Sequence, residues 1–404
     1  MFKSGLRFWI ISISLLIFLV ISTNHTFTSY LYQTQGIIPS LGLRFLSLLL
    51  AIVLVMSFHG IGLLSCPLIG LKIFPKYMEL PTRFFIGYLM ASMGVYFLGF
   101  YEMLHKEIFF PVIFLGACIS ISKIVKISSY FSFLTKIFQK GNFEKGLIIC
   151  VVVFLIGRLF PTLNFNSFGD PLNYSLPSGR DYLEVGRFQW VEHAEFYWQS
   201  GLSDIGLIYL HSLTNHPMLV QLSAQAFYYL TGILFLLFIL HKGFFSKLIP
   251  EKHSLWIAFS FISMSTFRLE SIVAKPDYWL AVLFCLILVF LYEILSETNN
   301  DNLLSYWTAV LMLSGLCLST KPTSILFLLP LAVGLLFFGK YSIPFTSLRF
   351  WATSILAASL GLMNTFKSIY IFNNPIFPFA NHIFLSPYWD QTASEGMRKL
   401  FRLE

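Results

Sequence analysis

The chain has 404 residues, 56% of them hydrophobic and 11% charged, and its mean hydropathy is +0.74. Soluble domains carry about 25% charged residues, so this composition excludes a water-soluble globule and requires an integral membrane protein. The net charge of +8 does not signal nucleic acid, because the basic residues gather in the short loops of one face, as membrane topology demands, and no nucleic-acid-binding motif accompanies them.

The N-terminus places Lys3 and Arg7 before an apolar run from Phe8 to Ile21. No A-x-A-like cleavage site follows, so the run reads as an uncleaved signal-anchor helix. A helix needs about 20 mainly apolar residues to cross a bilayer, and on that criterion the sequence predicts about eleven spans. They run Phe8–Thr23, Leu41–Leu64, Phe84–Leu104, Ile108–Ser122, Leu147–Leu163, Pro217–Leu240, Leu255–Val273, Tyr278–Leu295, Tyr306–Ser319, Ser324–Phe338 and Trp351–Phe372. The ninth and tenth are short, and are either one broken helix or two halves hinged at Lys321-Pro322. The predicted fold class is all-α: a polytopic membrane helix bundle of about eleven transmembrane helices with one structured extracytoplasmic loop.

Loop charges set the orientation. With the N-terminus in the cytoplasm, one face collects Lys3, Arg7, Lys72, Lys76, Arg83, Lys123, Lys126, Lys136, Lys140, Lys145, Lys242, Lys247, Lys252, Lys340 and Arg349. The opposite face has Lys106, Arg180, Arg187, Arg268, Lys275 and Lys321, with Lys367, Arg398, Lys399 and Arg402 in its C-terminal segment. This bias obeys the positive-inside rule and places the loop after the fifth span outside the cytoplasm. Asp170, Asp181, Glu184, Glu192, Glu195, Asp204, Glu270, Asp277, Asp390 and Glu395 all fall on that same outer side.

The outer loop, residues 164–216, has internal pattern. Pro177-Ser178-Gly179-Arg180-Asp181 reads as a helix start with Ser178 as N-cap, and Gly186 can end the helix. Arg180 and Glu184 are spaced to pair on one face. Tyr182, Phe188 and Trp190 suit a helix lying at the lipid headgroups. A second short helix is predicted over Leu202 to Ser212, and Asn215-His216-Pro217 turns the chain back into the membrane. His59, His211 and His216 read as packing or turn residues rather than ligands. Cys66, Cys118, Cys150, Cys285 and Cys317 lie in or beside apolar spans and read as small buried hydrophobes.

Asp170 opens this loop, directly after an apolar span. A carboxylate at the mouth of a membrane bundle is costly to place unless it has a task. Desolvation there raises its pKa and brings it nearer the working pH of a general base. The plain alternative is a carboxylate that only caps a turn before Pro171. Lys321 interrupts an apolar run and is either paired in a cavity or snorkelling to the surface. Arg187, Arg180, Lys275 and Lys321 are the outer cations available to a phosphate, Arg as a planar fork and Lys as a point charge. Trp190 and Trp198 are available to stack on a sugar or isoprenoid. Asp170, Glu192 and Asp204 form a candidate set for a divalent cation, Mg or Mn; the alternative is that Glu192 and Asp204 are solvated loop charges. No D-x-D, Walker A or G-x-G-x-x-G motif is present, which argues against a cytosolic nucleotide-sugar domain and an ATP-driven pump.

Asp170-Pro171-Leu172-Asn173-Tyr174-Ser175-Leu176-Pro177, followed by Asp181-Tyr182-Leu183-Glu184-Val185-Gly186-Arg187, resembles the first outer loop of multispanning GT-C-type glycosyltransferases. Lys275-Pro276-Asp277-Tyr278-Trp279, Ser319-Thr320-Lys321-Pro322-Thr323 and Asn373-Asn374-Pro375-Ile376-Phe377-Pro378-Phe379 are similar to segments of bacterial members. The resemblance covers roughly residues 150 to 390. It divides the chain into N-terminal transmembrane helices, 1–146, and a GT-C-like core, 147–404. It implies a polyprenyl-phosphate-linked sugar as donor, membrane lipid as surroundings, and a bacterial inner membrane as location. It implies Asp170 as base, and Tyr174, Arg187, Lys275, Lys321 and Trp190 as substrate-binding residues. Two departures stand out: Ser175 occupies a place where relatives often carry His, and the acidic motif follows the fifth span rather than the first. The rival reading is a lipid-linked saccharide flippase or secondary transporter, and an O-antigen-type polymerase or ligase is a third.

Overall fold

The computed structural model describes residues 37–75, 77–124, 151, 155, 159, 176–189, 201, 204, 206–241, 251–262, 277–297, 299–337, 344–376 and 381–386. Among the described residues every regular element is helical and none is a strand. Five helices are long and apolar enough to cross a membrane: Gly42–Leu68, Glu79–Phe100, Pro217–His241, Tyr278–Leu295 and Asp301–Thr320. A sixth crossing results if the bent pair Leu348–Gly361 and Met363–Phe372 counts as one. The chain is thus a membrane-embedded helical protein. The predicted span Phe8–Thr23 lies outside the described residues, as do most of Leu147–Leu163 and the second half of Leu255–Val273.

In chain order the helices are α1 (Ile37–Leu68), α2 (Glu79–Phe100), α3 (Lys106–Ile124), α4 (Leu176–Val185), α5 (Ile208–Leu213), α6 (Pro217–His241) and α7 (Glu251–Ile262). They continue as α8 (Asp277–Ser296), α9 (Asn300–Thr320), α10 (Ile325–Phe337), α11 (Leu348–Gly361), α12 (Met363–Phe372) and α13 (Asn381–Phe384). Several start earlier than their apolar stretches. Glu79 and Arg83 extend α2 by a turn through an i,i+4 ion pair at 2.7 Å. Asn299 caps α9, its side chain accepting from the Asp301 amide at 2.9 Å. Polar residues can begin a membrane helix wherever the chain leaves the hydrocarbon, which an apolar-run criterion does not register. At α6 the turn was legible: the His216 side chain accepts from the Leu219 amide and Pro217 takes the first helical turn, where its missing N–H costs nothing. A π-helical turn, Leu230–Leu234, lies inside α6.

Two breaks interrupt the second half of the bundle, one foreseen and one not. Helix α9 ends at Thr320, Lys321 is extended, and a 3-10 turn over Pro322–Ser324 leads into α10. The hinge predicted at Lys321-Pro322 is therefore a real break between two helices. The predicted single span Trp351–Phe372 is bent by 42° between α11 and α12. Gly361 stands at this break, in keeping with the small residues found at sharp kinks.

Helix α1 packs on α2, α3 and α6, α8 packs on α9, and α9 packs on α11. Backbones approach closely through glycine: a Cβ on Gly87 would overlap the Phe58 carbonyl oxygen, and one on Gly62 the Arg83 carbonyl oxygen. Small residues at helix contacts are the usual means of tight association in lipid. One apolar core joins helices before and after residue 146. At its centre Trp279 meets Tyr88 edge-on, centroids 4.6 Å apart, and donates to the Thr231 hydroxyl at 2.7 Å. The indole is fully buried, so this hydrogen bond satisfies a donor that would otherwise be costly in the core.

The loops sort to two ends. At one, here the lower end, the Lys72 amide donates to the Ser305 hydroxyl at 3.2 Å and Arg349 donates to the Gly70 carbonyl. At the other, the upper end, the Leu104 amide donates to the Gly186 carbonyl at 2.8 Å, and Arg187 pairs with Glu102 at 2.9 Å. Loops predicted to share a face therefore meet in space.

Candidate functional site at the upper end

Helix α4 frames the upper end. It begins at Leu176 rather than after Ser178, and Ser178 is buried within it instead of capping it. Gly186 ends it as predicted, with φ of 81° and its amide donating to the Tyr182 carbonyl; only glycine adopts that conformation at little cost. Arg180 pairs first with Asp181 at 2.8 Å and only loosely with Glu184 at 3.9 Å. The expectation that Tyr182 and Phe188 lie at the headgroups is overturned. They are 1% and 2% exposed and pack against each other, with Phe188 also touching Tyr96 and Phe100. A loop helix bound to the bundle buries its rings inward, because neighbouring aromatics offer closer contact than mobile lipid.

Between α3, α4, α5 and the start of α6 lies a cavity of about 540 Å³, within the range of small-molecule sites. Its polar lining includes Lys106, Glu107, Arg180, Glu184, His211 and Gln221. Leu183, Pro217, Met218 and Val220 supply apolar wall. The His211 Nε2 donates to the Leu176 carbonyl at 2.7 Å, since a carbonyl oxygen can only accept. Burial pushes the His211 pKa down to about 4, with Arg180 adding to the effect and the Leu176 contact and Asp181 opposing it.

A buried polar cluster that sequence reasoning missed is built around Asp204. Asp204, taken as a candidate metal ligand or a solvated loop charge, is 3% exposed; it is not solvated. Its Oδ2 accepts from the Gly201 amide at 3.1 Å. Gly201 packs on the end of α9 so closely that a Cβ there would come 2.5 Å from the Thr320 carbonyl oxygen. Lys367 of α12, counted in the C-terminal segment of the outer face, is 1% exposed. The Asp204 charge acts on Lys367, Tyr88 and Tyr96. Tyr96 donates to the Asn364 side-chain oxygen, and the Asn364 amide donates to the Ser319 carbonyl. The cluster thus ties the outer loop to α2, α9 and α12. The signal for Lys367 was present: it is the one charge inside Trp351–Phe372.

The remaining candidates divide. Asp170, Tyr174, Trp190, Glu192 and Lys275 lie outside the described residues. Arg187 is held by Glu102. Lys321 is exposed at the break between α9 and α10, so its side chain is not enclosed in a cavity. Of the motif around Trp279, the ring itself is a core anchor. Asn373 is the left-handed stop of α12, with φ of 53°, and the Asn374 side chain accepts from the Ile376 amide at 3.0 Å; these asparagines have a local structural task. Among the described residues no group of three His, Cys, Asp or Glu side chains converges on a metal position. A divalent ion at Asp204 would have to compete with Lys367 and the Gly201 amide. The described cysteines, Cys66, Cys118, Cys285 and Cys317, are free thiols.

No protein-family model, curated protein or solved structure matches the chain.

Proposed function

We propose that the chain is a membrane glycosyltransferase that moves a sugar from a lipid-phosphate-linked donor to an envelope glycan, lipid or protein acceptor on the extracytoplasmic face. The reading includes a GT-C-like bundle of about eleven spans, set in a bacterial inner membrane with its N-terminus in the cytoplasm. The observation that carries it is the polar cavity at the upper end, walled by α4, whose first residue follows Asp170 by six positions. In this reading the Asp170 carboxylate takes the proton of the acceptor hydroxyl. The hydroxyl oxygen bonds to the anomeric carbon as the bond from that carbon to the donor phosphate oxygen breaks, and the lipid phosphate leaves. Arg187 and Lys321 offer positive charge at the same end for that phosphate.

Isolated membranes given a panel of radiolabelled polyprenyl-phosphate sugars test this. Wild type is expected to transfer label, and Asp170→Asn to lose transfer by about a hundredfold or more, the contribution typical of a positioned general base. Full transfer by a correctly inserted Asp170→Asn variant removes the base assignment.

A carrier is the second reading. It is favoured by the helix breaks at Lys321 and Gly361 and by the buried Asp204 and Lys367, features that transporters place near their substrates. Both breaks lie on helices that contribute to the buried Asp204 cluster.

A further inference from the structure

We infer that the cavity between α3, α4, α5 and α6 binds a neutral, hydroxyl-rich saccharide segment, with the His211 Nδ1 as a fixed acceptor for one of its hydroxyls. The inference deepens the transferase reading by giving it an acceptor subsite.

The geometry of His211 carries it. The Leu176 carbonyl holds the proton on Nε2, so in the neutral ring Nδ1 is a bare lone pair. Nδ1 makes no hydrogen bond to a described residue, and the ring lines the cavity. Gly179 makes room for this pose: a Cβ there would come 3.0 Å from the His211 Cδ2. The ring is therefore oriented by the Leu176 carbonyl and seated in the space that Gly179 leaves. With its pKa near 4, His211 stays neutral at physiological pH and is a weak base. It is suited to accepting a hydrogen bond, not to removing a proton.

The other walls argue for a neutral ligand. Lys106 and Arg180 share the lining with Glu107 and Glu184, two positive groups balanced by two negative. Arg180 is already engaged by Asp181 and Glu184 on its own helix. Such a lining selects neither an anion nor a cation. Gln221 adds an amide with both donor and acceptor character, and a polyol needs both. The apolar wall suits the carbon faces of a sugar ring.

The full chain in lipid nanodiscs, prepared without glycosidic detergents, tests this by saturation-transfer NMR with cellobiose, chitobiose and a rhamnose disaccharide as probes. Wild type is expected to bind at least one of them. His211→Gln keeps a donor for the Leu176 carbonyl but loses the ring acceptor, and should weaken binding by about five- to tenfold, the worth of one hydrogen bond. Gln221→Leu, checked for intact folding by gel filtration, should weaken it similarly. No binding by wild type, equal binding by both variants, or a cavity filled by phospholipid headgroup regardless of residue 211 would overturn the inference. The same preparations assayed for sugar transfer separate the two claims. Transfer without His211-dependent binding leaves the transferase reading standing and removes this subsite. His211-dependent binding without transfer does the reverse.

Discussion

A lysine inside a membrane helix is tolerated when an opposite charge or a polar cavity receives it. Lys367 and Asp204 meet that condition, both buried and electrostatically coupled between α12 and the outer loop. Removing one of two buried opposite charges destabilises the fold, by up to about 3–5 kcal/mol where the two are in contact, whereas replacing both costs less. Lys367→Met and Asp204→Asn are each expected to lower the melting temperature of the detergent-solubilised protein. The double variant should recover most of the loss. Thermal melts showing purely additive losses would mean that the two residues do not act together. The sequence showed Lys367 inside an apolar span, but counting it with the C-terminal segment of the outer face hid its burial. Asp204 stood out in the sequence only as a candidate cation ligand or a solvated charge, and its burial was not legible because it depends on Gly201 seating the loop against α9.

Helices were the most legible level. Apolar runs located α6 and α8 to within a residue at each end and α1 to within four, since hydrocarbon thickness sets the apolar length. Their polar starts, the bend at Gly361 and the inward-facing rings of the α4 region were not legible, because each depends on a neighbouring element. The contact between α1 and α2 is the clearest case. Gly87 and Gly94 look alike in the sequence of α2, yet a Cβ on Gly87 would overlap the Phe58 carbonyl oxygen, while one on Gly94 meets nothing within 4 Å. Gly87→Ala is therefore expected to destabilise the bundle by about 1–3 kcal/mol, the usual cost of overpacking. Gly94→Ala should be neutral or slightly stabilising, as alanine favours the helix. Comparing their unfolding midpoints in mild denaturant checks the contrast, and equal midpoints would mean that α1 and α2 do not pack this way.

At the scale of the whole molecule, the two ends differ in kind. The lower end joins the 69–75 loop to α9 and α11, and the sequence crowds lysine and arginine there. The upper end gathers α4, α5, the cavity and the Asp204 cluster. Charge bias alone assigned these loops to opposite faces, and their spatial grouping agrees. The cavity could not be foreseen, since it joins α3, α4 and the α5–α6 turn, three stretches far apart in the chain. The whole functional account requires the upper end to face away from the cytoplasm. Asn215 lines the cavity at that end and Lys72 is exposed at the other. Single variants Asn215→Cys and Lys72→Cys, treated in intact cells with a membrane-impermeant maleimide, report the orientation, with wild type as the blank. The account predicts labelling of residue 215 in intact cells and of residue 72 only after permeabilisation. The reverse pattern would contradict it.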